Sequence, residues 1–474
     1  MKLNYLVLVI AMIWLPSCKS TLHPIPNASK PNVAPEMRVP EWAKNAVIYE
    51  LNTRQFSKEG TLAKAAEALP RIKELGVDIV WLMPIYPIAE AEKKCTPAET
   101  TPCLGSPYAA YDFKDVNPQL GTKADFRAFV QKAHALGLKV ILDFVPDHTG
   151  WESKWMKEHP EYFVRINGEF TVPIDPFSKQ VTDWADVAML DYNNPALRRA
   201  IIDAHEFWVR EFGVDGFRED VAGFVPNDFW AELRVALDRI KPVFMLSEWG
   251  DIPEHLTSCF QANYGWKFHV LIKDIAKGKK NANDLMTYLS AFKSKFPKQG
   301  YQMHFTQNHD ENTWNGTERE SFGEAGDTFM ALVFTFDGMP LIYNGQEASL
   351  NKRLSFFHKD EIDWSGPSRA AFFQKLTQLK HTNEALWNGA AGGSVQRLDS
   401  DNSASIMAFV REQNGDRVIA VFNLSSKPHE TTVQAGKFAG TYNNVMKGNR
   451  QTVAANQVFS LKPWEFVLLS IDKP

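Results

Sequence analysis

Acidic, basic and imidazole side chains recur in one local context, the end of a short apolar run. They stand in Asp143-Phe144-Val145-Pro146-Asp147-His148, in Gly216-Phe217-Arg218-Glu219-Asp220, in Ser247-Glu248-Trp249 and in Asn308-His309-Asp310. One acid at a loop start is ordinarily a solvated side chain. Carboxylates, an arginine and histidines gathered on one rim repel one another and lose hydration, so an ion network kept only for stability explains them poorly. Cleavage of a glycosidic bond uses such a set. An ionised carboxylate attacks while a protonated one donates to the leaving oxygen, the two about 5–5.5 Å apart when configuration is retained. Arg218 and Asp220 are two residues apart, so on a strand they project the same way. The guanidinium would hold Asp220 ionised. Glu248 has Trp249 beside it and no adjacent cation in the chain. Apolar surroundings and nearby negative charge would raise its pKa, as a general acid requires. Glu219 faces away from this set on a strand, and the pattern gives it no role.

The elements that carry these residues alternate. Strands are expected at 47–51, 78–83, 139–145, 214–218, 243–246, around Phe260, at 301–306 and at 339–343. Between them, helices are expected at 62–75, 123–136, 195–212 and 228–240, with a last one at 368–381; those ending at 75, 136 and 212 stop before Gly76, Gly137 and Gly213. Short apolar strands alternating with amphipathic helices imply a parallel sheet. Eight units at this length imply an α/β fold, a (β/α)8 TIM barrel, whose catalytic groups lie at the carboxyl ends of the strands. An open doubly wound sheet is the alternative, but no Gly-rich phosphate loop supports it. Residues 146–192 form an insertion after strand three, containing Trp151, Trp155 and Trp184, and such an excursion lies over the active face. Residues 386–474 alternate apolar and polar positions, as in Val418-Ile419-Ala420-Val421-Phe422, and read as a C-terminal antiparallel β domain.

The 474 residues carry a net charge of −4, which argues against a nucleic-acid partner. The 14 Trp are compatible with stacking on sugar rings, although most aromatic side chains are core. Lys2, an apolar run from Leu6 to Leu15 and Leu15-Pro16-Ser17-Cys18 read as a secretory signal over residues 1–18. The small-residue-then-Cys ending resembles a bacterial lipobox, in which Cys18 would be lipidated and anchor an exported protein to a membrane, periplasmic or at the cell surface. Plain signal cleavage is the alternative, and residues 19–40 then read as a flexible tether. In an exported chain Cys95 and Cys103, eight residues apart, are expected to form a disulfide, with two free thiols as the alternative. Cys259 is expected to be a buried small hydrophobe.

All four strand-end blocks occur in order, together with Ser106-Pro107-Tyr108, Asp115-Val116-Asn117-Pro118 and Gly338 to Glu347. In these the chain resembles the α-amylase family of retaining glycoside hydrolases (glycoside hydrolase family 13), from Ile48 to its end. The resemblance implies a catalytic barrel over 41–385 and a β-sandwich after it. It implies that Asp220 is the nucleophile, Glu248 the general acid/base and Asp310 the third carboxylate. It also implies that Arg218 orders Asp220, that Tyr108, His148 and His309 contact the sugar, and that Arg353 reaches it. Asp112 and Asp143 would be structural. The substrate class implied is α-1,4-glucan or malto-oligosaccharide, acted on by a monomer without a cofactor. Transglycosylation and α-glucosidase action stay open, as does a non-catalytic glucan-binding lipoprotein.

Departures from the family pattern stand out. Asp147 replaces the usual Asn, and Met189 stands where an acid is expected, so the family's structural calcium site is expected to be lost, leaving no metal. Gly223-Phe224 stands in place of a Lys-His pair that contacts substrate in typical members.

Overall fold

The computed structural model describes residues 39–471, apart from Ala98. The signal, lipidation at Cys18 and nearly all of the tether fall outside the described residues. No helix among those described is long and apolar enough to cross a membrane.

Eight parallel strands close into a barrel: β1 (Ile48–Leu51), β2 (Ile79–Leu82), β3 (Lys139–Phe144), β4 (Gly216–Glu219), β5 (Phe244–Ser247), β6 (Ala262–Tyr264), β7 (Tyr301–His304) and β8 (Met339–Tyr343). They follow one another around the barrel in chain order, β1 closing against β8 in a register that opposes Ile48 to Leu341. Strand residues alternate between two apolar environments. Ile48, Trp81, Ile141, Leu246 and Met303 fill the interior, while Tyr49, Val80, Leu142, Phe217 and Met245 meet the surrounding helices. Burial on both faces is why these strands read as continuous apolar runs. Gly216 has no alternative residue, because a Cβ there would come 1.8 Å from the Phe244 carbonyl oxygen.

The helices correct the expected pattern in places. The stretch 62–75 is two short helices, Leu62–Glu67 and Leu69–Glu74, with Pro70 in the first turn of the second. Pro195–Phe207 gives way to a wider π turn over Trp208–Phe212 before Gly213. Strand β6 begins two residues after Phe260, at Ala262. Trp266–Ala276, Ala282–Lys295 and Gly326–Thr335 are further helices that the pattern did not reveal. In the last, every residue from Thr328 to Thr335 is buried, so it has no polar face to give a helical period.

The insertion leaves β3 through His148–Gly150, which pairs antiparallel with Val187–Met189 on the way back. Cys95 and Cys103 are joined in a disulfide, and Cys259 is free and buried. Beyond the barrel a six-stranded sheet and a two-stranded sheet enclose a second core, containing Val410, Val421, Val433, Phe459 and Leu469. The larger sheet is apolar on both sides. Met407, Phe409, Phe422 and Leu468 leave the sandwich core and pack on the barrel's helices. Arg411 is buried at this junction, donating to the carbonyls of Phe336 (2.7 Å), Trp387 (3.0 Å) and Gly393 (2.7 Å).

Candidate active site

The carboxyl ends of the strands surround a cavity of about 550 Å3, lined by Tyr108, His148, Asp220, Glu248, His309 and Asp310 among others. At its floor lies Arg218, fully buried at the inward-facing position of β4. Its Nη1 donates to Asp220 Oδ1 at 2.5 Å and to Asp143 Oδ1 at 2.8 Å, and its Nε donates to the Tyr264 hydroxyl at 3.1 Å. Its Nη2 lies 2.6 Å from Glu248 Oε1. This corrects the expectation that Glu248 lacks a neighbouring cation. Strands β4 and β5 are paired, so the guanidinium reaches Glu248 across the ladder, a neighbour that chain adjacency does not reveal.

Burial nonetheless holds the Glu248 carboxyl well above the usual carboxylate range. Arg218 opposes that rise, and the charges of Asp220 and Asp310 add to it. Glu248 Oε2 also accepts the backbone N–H of Val221 at 2.8 Å. Val221 directs that N–H from the left-handed region, φ 36°, where a β-branched residue is strained by about 1–3 kcal/mol.

Asp143 is a buried hub beneath the cavity. Besides Arg218, it accepts from the Tyr108 hydroxyl at 3.1 Å and from Trp81 Nε1 at 3.2 Å. Burial pushes its carboxyl up to about 7, against the pull of Arg218 and with the charge of Asp220. His309 lies between Glu50 Oε1 (2.5 Å from Nδ1) and the Tyr108 hydroxyl (2.9 Å from Nε2). Burial disfavours its charge, but Asp310 and Glu50 outweigh burial and raise the imidazole to about 9. Burial also raises the Glu50 carboxyl, against the pull of His309, so the two groups hold a proton between them above their ordinary ranges. Glu50 was missing from the sequence reading, although an acid inside the apolar run of β1 was the available signal.

Glu219 points outward, as its place on the strand dictates, and meets His205 of Pro195–Phe207, with Oε1 and Nε2 2.9 Å apart. His205 Nδ1 faces the Ile201 carbonyl at 2.8 Å and must carry a proton to donate there. The His205 contact supplies the account of Glu219 that the strand pattern lacked.

Tyr108, His148 and His309 line the cavity; Arg353 does not. Its guanidinium is exposed and donates to Glu320 Oε2 at 2.9 Å. Trp314, in a π turn over Glu311–Asn315 after β7, and Phe356 and Phe357, on the loop after β8, line the cavity instead. A single π turn and a loop are too short or irregular to carry a periodic signal. Phe356 stacks on Tyr108 with ring centroids 5.9 Å apart. Where typical members carry Lys-His, Phe224 stacks on Trp184 at 5.6 Å. Gly223 is needed beside it, because a Cβ there would come 2.3 Å from the Trp249 ring.

The family's usual calcium position does not suit the ion in this chain. Both Asp147 carboxylate oxygens are buried without a hydrogen bond, and Oδ1 lies 2.9 Å from His148 Nδ1. Among the described residues, the acids and imidazoles close enough to share an ion are Asp147, His148 and Asp220. That set mixes a nitrogen donor with a carboxylate already held by Arg218, whereas calcium takes about 6–8 oxygens.

A solved α-amylase from Lactobacillus plantarum is 30% identical, with a TM-score of 0.78, covering 91% of this chain and 99% of that one. A noncanonic maltogenic alpha-amylase, AmyB, from Thermotoga neapolitana superposes with a TM-score of 0.80 at 27% identity, covering 91% and 100% of the two chains. The Haloarcula japonica Alpha-amylase MalA is 26% identical over 443 residues, 88% of this chain but 62% of that longer protein. Residues 395–468 match the C-terminal domain of maltogenic amylases. Residues 44–417 match the alpha-amylase catalytic domain, and the chain belongs to that family of glycoside hydrolases.

Proposed function

We propose that the protein hydrolyses α-1,4-linked glucans or malto-oligosaccharides with retention of configuration. Asp220 attacks the anomeric carbon while Glu248 gives its proton to the leaving oxygen. Glu248, now ionised, takes a proton from water, which displaces Asp220 from the glycosyl ester. Asp310 grips the sugar hydroxyls as the ring flattens, and Tyr108, His148 and His309 hold the ring in place. The observation that carries this reading is the single guanidinium of Arg218 bound on one side to Asp220 and on the other to Glu248. It keeps the two carboxyl groups within one guanidinium's span, in keeping with the short gap of a double displacement, about 5–5.5 Å, rather than the 6.5–9.5 Å of an inverting pair. The relatives named above as α-amylases support the substrate class.

Maltoheptaose digestion followed at once by proton NMR tests the reading. Two inversions leave the α-anomer first, with β appearing only by mutarotation; β product at the start sinks it. Oligosaccharides longer than the substrate would mark transfer instead of hydrolysis.

The proposal extends to export and anchoring through a lipid on Cys18, supported by the lipobox-like ending at that residue. Full-length protein expressed in a bacterium should then partition into detergent, and Cys18→Ala should stay in the aqueous phase. Equal partitioning of both would exclude the anchor.

A further inference from the structure

We propose that the disulfide loop 88–106 walls off the cleft on the side of the attacked sugar, so that the enzyme works inward from the non-reducing ends of chains. The inference rests on the roles of Asp220 and Glu248 given above and adds the direction in which the chain lies.

The barrel order sets that direction. Glu248 follows β5, which stands across the barrel from β1. A general acid protonates the oxygen of the leaving sugar, so the leaving part of the chain extends over the β5 side. There the cavity shares Val221 and Glu248 with a groove walled by Trp249 and Trp266. The sugar attacked by Asp220, and any units before it, must extend toward β1 and its neighbours β8 and β2.

That side is closed by the loop after β2. One flank is tied to the loop after β8: the N–H groups of Leu104 and Gly105 donate to the Phe357 carbonyl at 2.7 and 2.9 Å, and Lys359 N–H donates to Pro102 at 2.9 Å. His358, buried, is enclosed by the disulfide ring. Its Nε2 accepts from Thr96 N–H at 2.9 Å, and its Nδ1 donates to the Thr101 carbonyl at 2.7 Å. The other flank crosses to the insertion through Lys94, next to Cys95. Its ammonium donates to the Asp183 carbonyl at 2.8 Å and lies 3.5 Å from Asp186. Lys94, Asp183 and Phe357 all line the cavity. The fence therefore runs unbroken from the β8 loop through the disulfide to the insertion, while the side beyond Glu248 leads into the groove. A glucan threaded through mid-chain would have to pass the Lys94 bridge.

The test compares two p-nitrophenyl α-maltoheptaosides, one with a free non-reducing end and one blocked there by an ethylidene acetal, with products separated by chromatography. The wild type should cleave the blocked substrate about tenfold or more slowly, the scale of discrimination against a group that a pocket refuses. Lys94→Ala and the double variant Cys95→Ser/Cys103→Ser should bring the ratio of the two rates toward one, and Lys94→Arg should keep the wild-type ratio. A loop that served only stability would change both rates together and leave the ratio fixed. Equal wild-type rates, which need no variant to measure, would overturn the proposal, as would a ratio unmoved in both loosened variants. Cleavage of neither heptaoside would instead sink the glucanase reading, and this inference with it.

Discussion

At the scale of single residues, the site separates two carboxyl groups that share one cation. Asp220 and Glu248 both contact Arg218, yet burial pushes Glu248 far above its ordinary range. Asp220→Asn keeps shape and removes the attacking charge, so turnover of maltoheptaose should fall roughly 10³–10⁵-fold with the melting temperature little changed. A variant with a tenth of wild-type turnover would reassign the nucleophile. The second expectation concerns pH. The acid acts only while protonated, so activity should be lost as pH rises through the raised Glu248 pKa. The alkaline limb of kcat/KM should therefore lie above the ordinary glutamate value of about 4.3. Burial raises Asp143 to about 7, and Asp310 and Glu50 raise His309 to about 9, so a limb above the ordinary carboxylate range needs assigning. Glu248→Gln should abolish it while retaining cleavage of maltosyl fluoride, whose leaving group needs no proton. Persistence of the same limb in that variant would move the titration to one of the other two.

At the scale of elements, the insertion hairpin holds Asp147 and His148 at one end and Met189 at the other, with His148 directly opposite Met189. A thioether is a poor partner for a hard cation. Thermal melts in excess chelator and in added calcium should overlap, because a metal held by the folded state would raise the melting temperature by mass action. A drop of several degrees on chelation, restored by calcium and absent in Asp147→Ala, would show an ion bound there. The elements also show what could be read in advance. Strands β1 to β5, β7 and β8 were legible because burial on both faces writes an apolar run, and the site's acids were legible because they end those runs. Strand β6 has three residues, one of them the polar Asn263, too few to set a period. Trp314 reaches the cavity from a single π turn and Phe356 and Phe357 from a loop, and the Arg218–Glu248 contact crosses between strands. Neither kind of neighbour leaves a mark in local sequence.

At the scale of the whole molecule, barrel and sandwich share a core. Phe409 leaves the sandwich sheet to meet Phe336 on the barrel side, ring centroids 5.9 Å apart, and lies 6.1 Å from Phe422 within its own sheet. Phe409→Ala should cost about 3–5 kcal/mol, the usual loss for a buried aromatic. That loss should lower a single transition seen alike by tryptophan fluorescence and by circular dichroism. Two separated transitions, with the barrel's unmoved, would mean that the parts fold independently. The position of the last strand, Phe466–Ile471, has a consequence in time as well as in space. It lies between Asp416–Asn423 and Gly440–Asn444, pairing with both, so the larger sheet has no centre until residues 466–471 are made. A chain emerging from the ribosome can assemble its barrel strands in order, but the sheet that covers Gly326–Thr335 must wait for its central strand, made after all the others in that sheet. Until then the apolar face of the nascent barrel is bare, and this is the interval in which a chaperone would find it.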